Sequence, residues 1–127
     1  MHKGFIKTAA LLGALSVTLG AFGAHKLKDL FADNVLTIFE TGVRYMFYHV
    51  FALLAVGILY EKFAKRLLKT AGILFILGII LFSGSLFLLT YTEGLVKPGF
   101  KWVGPITPIG GACFIGGWVC LALGIKK

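Results

Sequence analysis

The stretch TAGILFILGIILFSGSLFLLTYT, residues 70–92, decides the fold of this 127-residue chain. It contains no charged side chain, and a helix needs about 20 such residues to cross the hydrocarbon core of a bilayer. Three more stretches of similar length, all mostly apolar, occupy residues 8–24, 43–60 and 107–124. The pattern predicts an all-α fold, a four-helix transmembrane bundle that forms one integral membrane domain over residues 1–127.

The composition supports a membrane protein. Hydrophobic residues make up 58% of the chain, charged residues 14%, and the mean hydropathy is +0.93, whereas about 25% of a soluble domain is charged. The net charge of +8 indicates anionic partners, but the basic residues stand at the ends of the apolar stretches and not in one patch. This placement favours lipid headgroups over nucleic acid. We therefore expect membrane lipids as partners and no nucleic acid.

The distribution of basic residues predicts the orientation. Eight of the 13 Lys and Arg residues lie at the N-terminus, at the C-terminus and in the connector 61–69, which share one side of the membrane. The positive-inside rule then puts both termini in the cytoplasm, in the inner (cytoplasmic) membrane. An alternative is a signal peptide cleaved near residue 24, since Ala21-Phe-Gly23 resembles a cleavage site. The length of the first apolar run favours a retained helix.

Small residues predict which helices pack closely. Backbones in membranes approach where small side chains recur at intervals of four residues, and both the first and the fourth apolar stretch carry such residues. The expected packing positions are Gly13, Gly20, Ala112, Gly116 and Cys120. We expect helices one and four to cross closely at Gly20 and Gly116. The alternative is that the ladder on helix four forms a homodimer seam.

The connecting segments carry their own signals. Residues 26–41 mix apolar and charged residues at helical period, which predicts a short interfacial helix between helices one and two, bent or broken near Asp33-Asn34. In the last connector Pro98-Gly99 is typical of a turn, and Trp102 is typical of an interfacial anchor. Thr107-Pro108 is typical of an N-cap followed by proline at the first helical position.

Polar residues inside spans are costly, and each is by default a functional candidate. A rise of 1.5 Å per residue, counted from the predicted helix ends, puts nearly all of them in the outer half of the bundle. The candidate cluster consists of His25, Glu40, Arg44, Tyr45, Tyr48, His49, Ser83, Ser85 and Thr107. Glu40 is expected to lie close to Arg44, four residues later on the same helix face. The alternative is a purely structural set of hydrogen bonds between helices.

The sequence predicts neither a cofactor nor a metal. The candidate histidines His25 and His49 suggest a bis-histidine haem, but their predicted depths in the membrane differ by more than one helical turn. No third metal ligand is evident. Cys113 and Cys120 stand about 10 Å apart along one helix, too far for a mutual disulfide. No nucleophile has a base with an acidic partner. We therefore expect no enzymatic activity.

Four motifs resemble a known family. They are GAFGAH at residues 20–25, YMFYH at 45–49, FSGSL at 82–86 and GPITPIGG at 104–111. Together they resemble a bacterial membrane family of unknown function, uncharacterised protein family 0382, also called domain of unknown function 423. One motif lies in or beside each span. The resemblance implies a small four-span inner-membrane protein without an assigned reaction.

These observations predict a non-enzymatic integral membrane protein. Its outer polar cluster is expected to bind a lipid headgroup or a small ligand, or to dock a larger membrane complex. A homo-oligomer is a further possibility. The alternative is a small dimeric transporter or channel. A proton-coupled exporter needs a carboxylate within the membrane, and every acidic residue of this chain lies outside the spans or at their rim.

Overall fold

Four long helices make up the part of the chain that a computed structural model describes, residues 1–94 and 103–126. They are α1 (Lys3–Leu30), α2 (Asp33–Leu59), α3 (Lys65–Glu93) and α4 (Val103–Gly124). All four are long and apolar enough to cross a membrane. The predicted all-α, four-helix transmembrane fold is confirmed. We call the side with residues 1–2 and 60–64 the terminal side, and the opposite side the distal side.

Helix α2 is the centre of the bundle. Half of its most apolar segment is buried inside the protein, against 17% for α1 and for α4. It packs against α1 on one side and α3 on the other. The main hydrophobic core lies around it and comprises Phe5, Ala9, Met46, Val50, Ala52, Leu53, Val56, Leu68, Ala71, Phe75, Ile79 and Phe114.

Helices α1 and α2 form an antiparallel pair with contact positions at intervals of seven residues along each helix. In each contact one of the two residues is glycine. The contacting pairs are Ile6 with Gly57, Gly13 with Val50, and Gly20 with Val43. Seven residues are close to two helical turns, so this interval keeps the same face toward the partner along the whole length. Without side chains at the glycines, the two backbones lie close enough for van der Waals packing.

Helices α3 and α4 repeat this arrangement. The contacting pairs are Leu68 with Gly124, Phe75 with Gly117, and Phe82 with Gly110. The contact at Gly110 is the tightest, because a Cβ atom there would come within 2.7 Å of the Phe82 Cα. At this point the backbones of the two helices touch.

The prediction that α1 and α4 cross closely is wrong. Among the described residues, α1 packs along α2, and α4 packs along α3. Gly13 and Gly20 face α2, whereas Gly116 borders Leu74 of α3. Cys120 packs partly buried against the core, and Ala112 is exposed. The packing face is formed by the glycines at intervals of seven. The ladder at intervals of four, which runs from Ala112 through Gly116 and Cys120 to Gly124, shares only Gly124 with it.

The distal half contains three departures from regular helix. Residues Gly23–Leu27 of α1 and Ile79–Ser83 of α3 are π-helical turns, each of which accommodates one extra residue. Between α1 and α2, Phe31 and Ala32 have extended backbones. The segment 26–41 is therefore helical on both sides of a break, as an extension of α1 followed by the start of α2.

The start of α4 differs from the prediction. The helix begins at Val103, so Thr107 does not cap it, and Pro108 lies inside it. Pro105 is tolerated in the first turn because the amides there have no partner within the helix. The predicted turn at Pro98-Gly99 and the anchor Trp102 lie outside the described residues.

On the terminal side, two backbone N–H groups outside the helices donate hydrogen bonds to carbonyls near helix ends. The His2 N–H donates to the Gly57 carbonyl (2.8 Å), and the Ala64 N–H donates to the Gly124 carbonyl (3.2 Å). The exposed Glu61 carboxylate accepts a hydrogen bond from Lys65 at 3.0 Å, and this bond and charge hold the pKa of Glu61 below its usual value. The connector is thus tied to both the start of α3 and the end of α4.

Replacing Gly110 by Ala should destabilise the bundle, because the new methyl group must push the backbones of α3 and α4 apart. We expect a loss of about 1–3 kcal/mol, the usual cost of overpacking. Gly84→Ala is the matched control, since a Cβ there has no atom within 4 Å. Thermal unfolding in detergent measures both variants, and equal melting temperatures would contradict a backbone contact at Gly110.

Candidate functional site

The two-residue break between α1 and α2 creates a groove at the distal end. Helix α1 ends at Leu30, and α2 begins at Asp33. With so short a connection the two helix ends stay side by side, and their outward faces form the walls of a groove open to the surroundings. We call this the α1–α2 groove.

The groove has two compartments that share Ala24 and Glu40. The one nearer the break has a volume of about 400 Å³, and the one further along α2 has about 160 Å³. The compartment nearer the break is lined by Ala24, Lys28, Asp33, Leu36, Thr37 and Glu40. The further compartment is lined by Gly20, Gly23, Ala24, Phe39, Glu40, Val43 and Arg44. Each compartment holds charged side chains of both signs.

Arg44 is the charged group of the groove that lies furthest from the break. Its side chain is exposed on α2, and among the described residues no carboxylate oxygen lies within 4.0 Å of its guanidinium. Glu40 lines the same compartment without forming this ion pair. The Arg44 guanidinium therefore has donors that it can offer to an anion from outside the protein.

A second, apolar cavity of about 430 Å³ opens beside the groove, between the distal ends of α1, α2 and α3. Phe39 lines both spaces and packs its ring over Gly23. The cavity is lined by Phe22, Leu27, Leu30, Phe31, Phe39, Phe87, Thr90 and Tyr91. Its size falls in the usual range of ligand sites, about 300–1,000 Å³, and its lining suits a hydrocarbon chain.

His49 lies on the interior side of α2, with 4% of its surface exposed. Its ring stacks on Phe114 at a centroid distance of 3.5 Å, and its Nε2 accepts a hydrogen bond from the indole N–H of Trp118 at 3.1 Å. Because an indole N–H can only donate, Nε2 carries no proton. The proton is on Nδ1, which donates to the Tyr45 carbonyl at 2.7 Å. Both ring nitrogens of a neutral His49 are thus satisfied.

Two serines connect further helices. The Ser83 hydroxyl, in the π-helical turn of α3, donates to the Gly42 carbonyl of α2 at 2.7 Å. The Ser85 and Thr107 hydroxyls bond each other at 2.5 Å and join α3 to α4. No buried side-chain polar atom of the described residues lacks a partner. This interior network is closed.

The prediction of one cluster that joins His25, Arg44 and His49 is wrong. His49 follows Arg44 by five residues, which turns it about 140° around the helix axis. Gly23 and Leu27 of α1 face the bundle, so His25, two residues from each, is exposed. Glu40 and Tyr48 are exposed too. The ring of Tyr45 is partly exposed and packs against Phe82 at a centroid distance of 4.9 Å.

The nine predicted residues therefore divide into two groups and two outliers. The interior network contains Ser83, Ser85, Thr107, His49 and the carbonyl of Tyr45, and the α1–α2 groove contains Glu40 and Arg44. His25 and Tyr48 belong to neither group. Within the described ranges, no three His, Cys, Asp or Glu side chains are grouped so that they could hold a metal ion.

Sequence reasoning missed Trp118 and His2. A signal for Trp118 was available, because an indole N–H inside a membrane span needs an acceptor and His49 is an imidazole inside a span. His2 caps α1, since its Nδ1 accepts the Phe5 N–H at 3.0 Å and its ring stacks on Phe5. The short terminal segment gave no such indication.

A family model described as "Protein of unknown function (DUF423)" matches residues 19–111. This match covers both walls of the α1–α2 groove, His49 and the serine contacts. The chain belongs to this family. The resemblance of the four motifs is confirmed, and the DUF423 match ends before Trp118, which donates to His49.

Relatives in the DUF423 family match almost the entire chain. It is 40% identical over 126 residues to the UPF0382 membrane protein YwdK of Bacillus subtilis, with 98% of each chain covered. It is 38% identical over 125 residues to a UPF0382 membrane protein of Staphylococcus epidermidis, covering 98% of this chain and 97% of the relative. A Haemophilus influenzae UPF0382 membrane protein is 37% identical over 130 residues, covering 100% and 97%. No solved structure matches significantly.

Trp118→Phe should destabilise this DUF423 protein, because the buried Nε2 of His49 loses its donor. We expect a loss of about 1–3 kcal/mol. The control is a double-mutant cycle with His49→Leu, measured by denaturant titration in mixed micelles. The double variant should be more stable than the sum of the single effects predicts, and strictly additive effects would argue against the bond.

Proposed function

We propose that this chain is a non-enzymatic protein of the cytoplasmic membrane that binds the headgroup of a phospholipid in the α1–α2 groove. The observation that carries the proposal is Arg44, an exposed cation within a membrane-spanning helix with no carboxylate of the described residues in ion-pair range. A charged side chain at this depth is costly unless it finds a partner. A lipid phosphate, which lies at the edge of the hydrocarbon core in every phospholipid bilayer, is an anionic partner within reach of a long side chain.

The depth of Arg44 supports this partner. Helix α2 has 27 residues, about 40 Å at 1.5 Å per residue, which is longer than a hydrocarbon core of about 30 Å. If the terminal end of the core lies near Tyr60, its distal boundary falls about 20 residues earlier, near Glu40. Arg44 then lies about 6 Å inside the boundary, from where a long side chain reaches the phosphates.

The groove favours a phosphate over a purely structural role for Arg44. Its compartments open outward, and an arginine guanidinium presents donors in a fork that matches two phosphate oxygens. The interior network, by contrast, has all its polar atoms bonded within the described residues. We therefore assign the binding role to the groove, and helix cross-linking to His49, Ser83, Ser85 and Thr107.

The distribution of charge supports an orientation with the terminal side in the cytoplasm. Lys62, Lys65, Arg66 and Lys69 lie in or beside the connector on that side, and such clusters mark cytoplasmic segments. The groove then faces the outer leaflet. Lipid binding there can serve the protein itself, a homo-oligomer or a larger membrane complex that it joins.

Transport or catalysis has less support. The hydroxyls of Ser83, Ser85 and Thr107 are hydrogen-bonded near the distal end, His49 is hydrogen-bonded near the middle of the bundle, and the apolar cavity lies at the distal end. A transporter or channel of this size would work as a dimer with a polar path across the membrane. An enzyme of the serine, cysteine or histidine type would need such a side chain in the groove, and none stands among the described lining residues beside the two carboxylates.

Arg44→Gln should weaken retention of phospholipid, because the guanidinium loses its charge-assisted hydrogen bonds to phosphate. A loss of about 1.5–3 kcal/mol corresponds to about ten- to a hundredfold. Native mass spectrometry of protein released from nanodiscs of phosphatidylethanolamine and phosphatidylglycerol measures the retained lipid. Arg66→Gln is the matched control, an exposed arginine on the terminal side. Equal retention by Arg44→Gln and the wild type would exclude a phosphate contact.

Cysteine labelling tests the orientation. In a background with Cys113 and Cys120 replaced by Ala, Asp29→Cys should react with a membrane-impermeant maleimide on intact cells. Lys62→Cys should react only after the cells are opened, because we expect its connector in the cytoplasm. The reverse pattern of labelling would invert the orientation.

A further inference from the structure

We infer that the α1–α2 groove selects a zwitterionic phospholipid whose headgroup ends in a primary ammonium, the phosphoethanolamine class, over lipids with an anionic headgroup. The inference rests on the proposed function and adds the chemical class of the lipid. It derives from the order in which charged side chains follow one another along the groove.

The charges of α2 change sign with depth. Arg44 lies deepest, Glu40 lies one turn, about 6 Å, nearer to the surface, and Asp33 stands at the distal start of the helix. Glu40 lines both compartments, whereas Arg44 lines only the deeper one. From the membrane interior outward, the α2 wall of the groove therefore presents a cation first and carboxylates second, whereas Lys28 of α1 lines only the compartment nearer the break.

A phosphoethanolamine lipid has the complementary order. Its chains lie in the hydrocarbon, its phosphate is next, and its ammonium is outermost. With the phosphate on Arg44, the ammonium comes to the level of Glu40, where its N–H groups can donate to a carboxylate. This order depends only on distance from the membrane centre, so it holds whichever side of the membrane the groove faces.

The total charge of the groove also favours a zwitterion. Its lining contains two cations, Lys28 and Arg44, and two carboxylates, Asp33 and Glu40, so the formal charges cancel. A phosphatidylglycerol headgroup would satisfy Arg44 but bring no cation to Glu40, and its negative charge would lie beside that carboxylate. Like charges side by side weaken binding.

The compartment nearer the break has room for the headgroup. It encloses about 400 Å³, and its wall includes Thr37, whose hydroxyl already donates to the Asp33 carbonyl. The carboxylates of Glu40 and Asp33 are therefore its strongest acceptors. A primary ammonium offers three N–H donors, whereas a choline headgroup offers none. The groove should prefer ethanolamine to choline for this reason.

Competition between lipids tests the inference. Full-length protein is reconstituted into nanodiscs with equal parts of phosphatidylethanolamine, phosphatidylglycerol and phosphatidylcholine, and native mass spectrometry counts the lipids that stay bound. The wild type should retain phosphatidylethanolamine at least about tenfold over either competitor, a difference of about 1.4 kcal/mol. Glu40→Gln should reduce this preference to less than about threefold while phosphatidylglycerol retention stays equal or rises.

The control variants separate the two proposals. Glu93→Gln changes an exposed glutamate on the distal side that does not line the groove, and it should keep the wild-type preference. The selectivity would be overturned if the wild type retained phosphatidylglycerol or phosphatidylcholine as well as phosphatidylethanolamine. It would also be overturned if Glu40→Gln kept the wild-type preference. Both results would count even if Arg44→Gln lowers all lipid binding. A wild type that retains no lipid through Arg44 would overturn the proposed function.

Discussion

Close approach of helix backbones is the constraint on which the rest of this structure depends. Apolar side chains gain little when they leave lipid for protein, so membrane helices associate through van der Waals packing and hydrogen bonds. Here the contact positions at intervals of seven hold two antiparallel pairs together. The bond from Ser83 to Gly42 and the stacking of His49 on Phe114 connect these pairs. The groove exists because one pair is joined by only two extended residues.

The helices themselves could be predicted from the sequence because their formation is a local property. An uncharged segment such as residues 70–92 has one favourable conformation in a bilayer. The pairing of helices is not local. Gly116 and Gly117 are adjacent, yet a Cβ on Gly117 would reach Phe75 while one on Gly116 would only border Leu74. The rotation of α4 that decides between them depends on contacts with α3, which no pattern within α4 reveals.

The sequence predicted how deep most candidate side chains lie in the bundle, but not the direction in which they point around their helix axes. Counting residues from helix ends correctly put Ser83, Ser85 and Thr107 in the distal half, since depth follows from the helical rise. The same counting was wrong for His49, which lies near the middle of the bundle because α2 begins at Asp33 and not at the predicted residue 43. The direction around the helix axis was not anticipated. Five residues turn His49 inward when Arg44 faces out, and this difference separates a closed interior network from an open groove. The partner of His49, Trp118, belongs to a helix whose rotation was unknown.

The π-helical turn in α1 has a consequence for how tolerant this site is of change. The Lys28 N–H donates to the Gly23 carbonyl five residues earlier, so this turn contains one residue more than a regular α-helical turn. The wide turn takes up this extra residue, so the helix beyond it keeps the phase that it would have without the insertion. If the same residues formed a regular α-helical turn, everything beyond them would rotate by about 100°, and Lys28 would turn away from Asp33 although every charged side chain remained in the chain. The chemistry of this groove therefore depends on helical phase, and the backbone of residues 23–27 matters as much as side-chain identity.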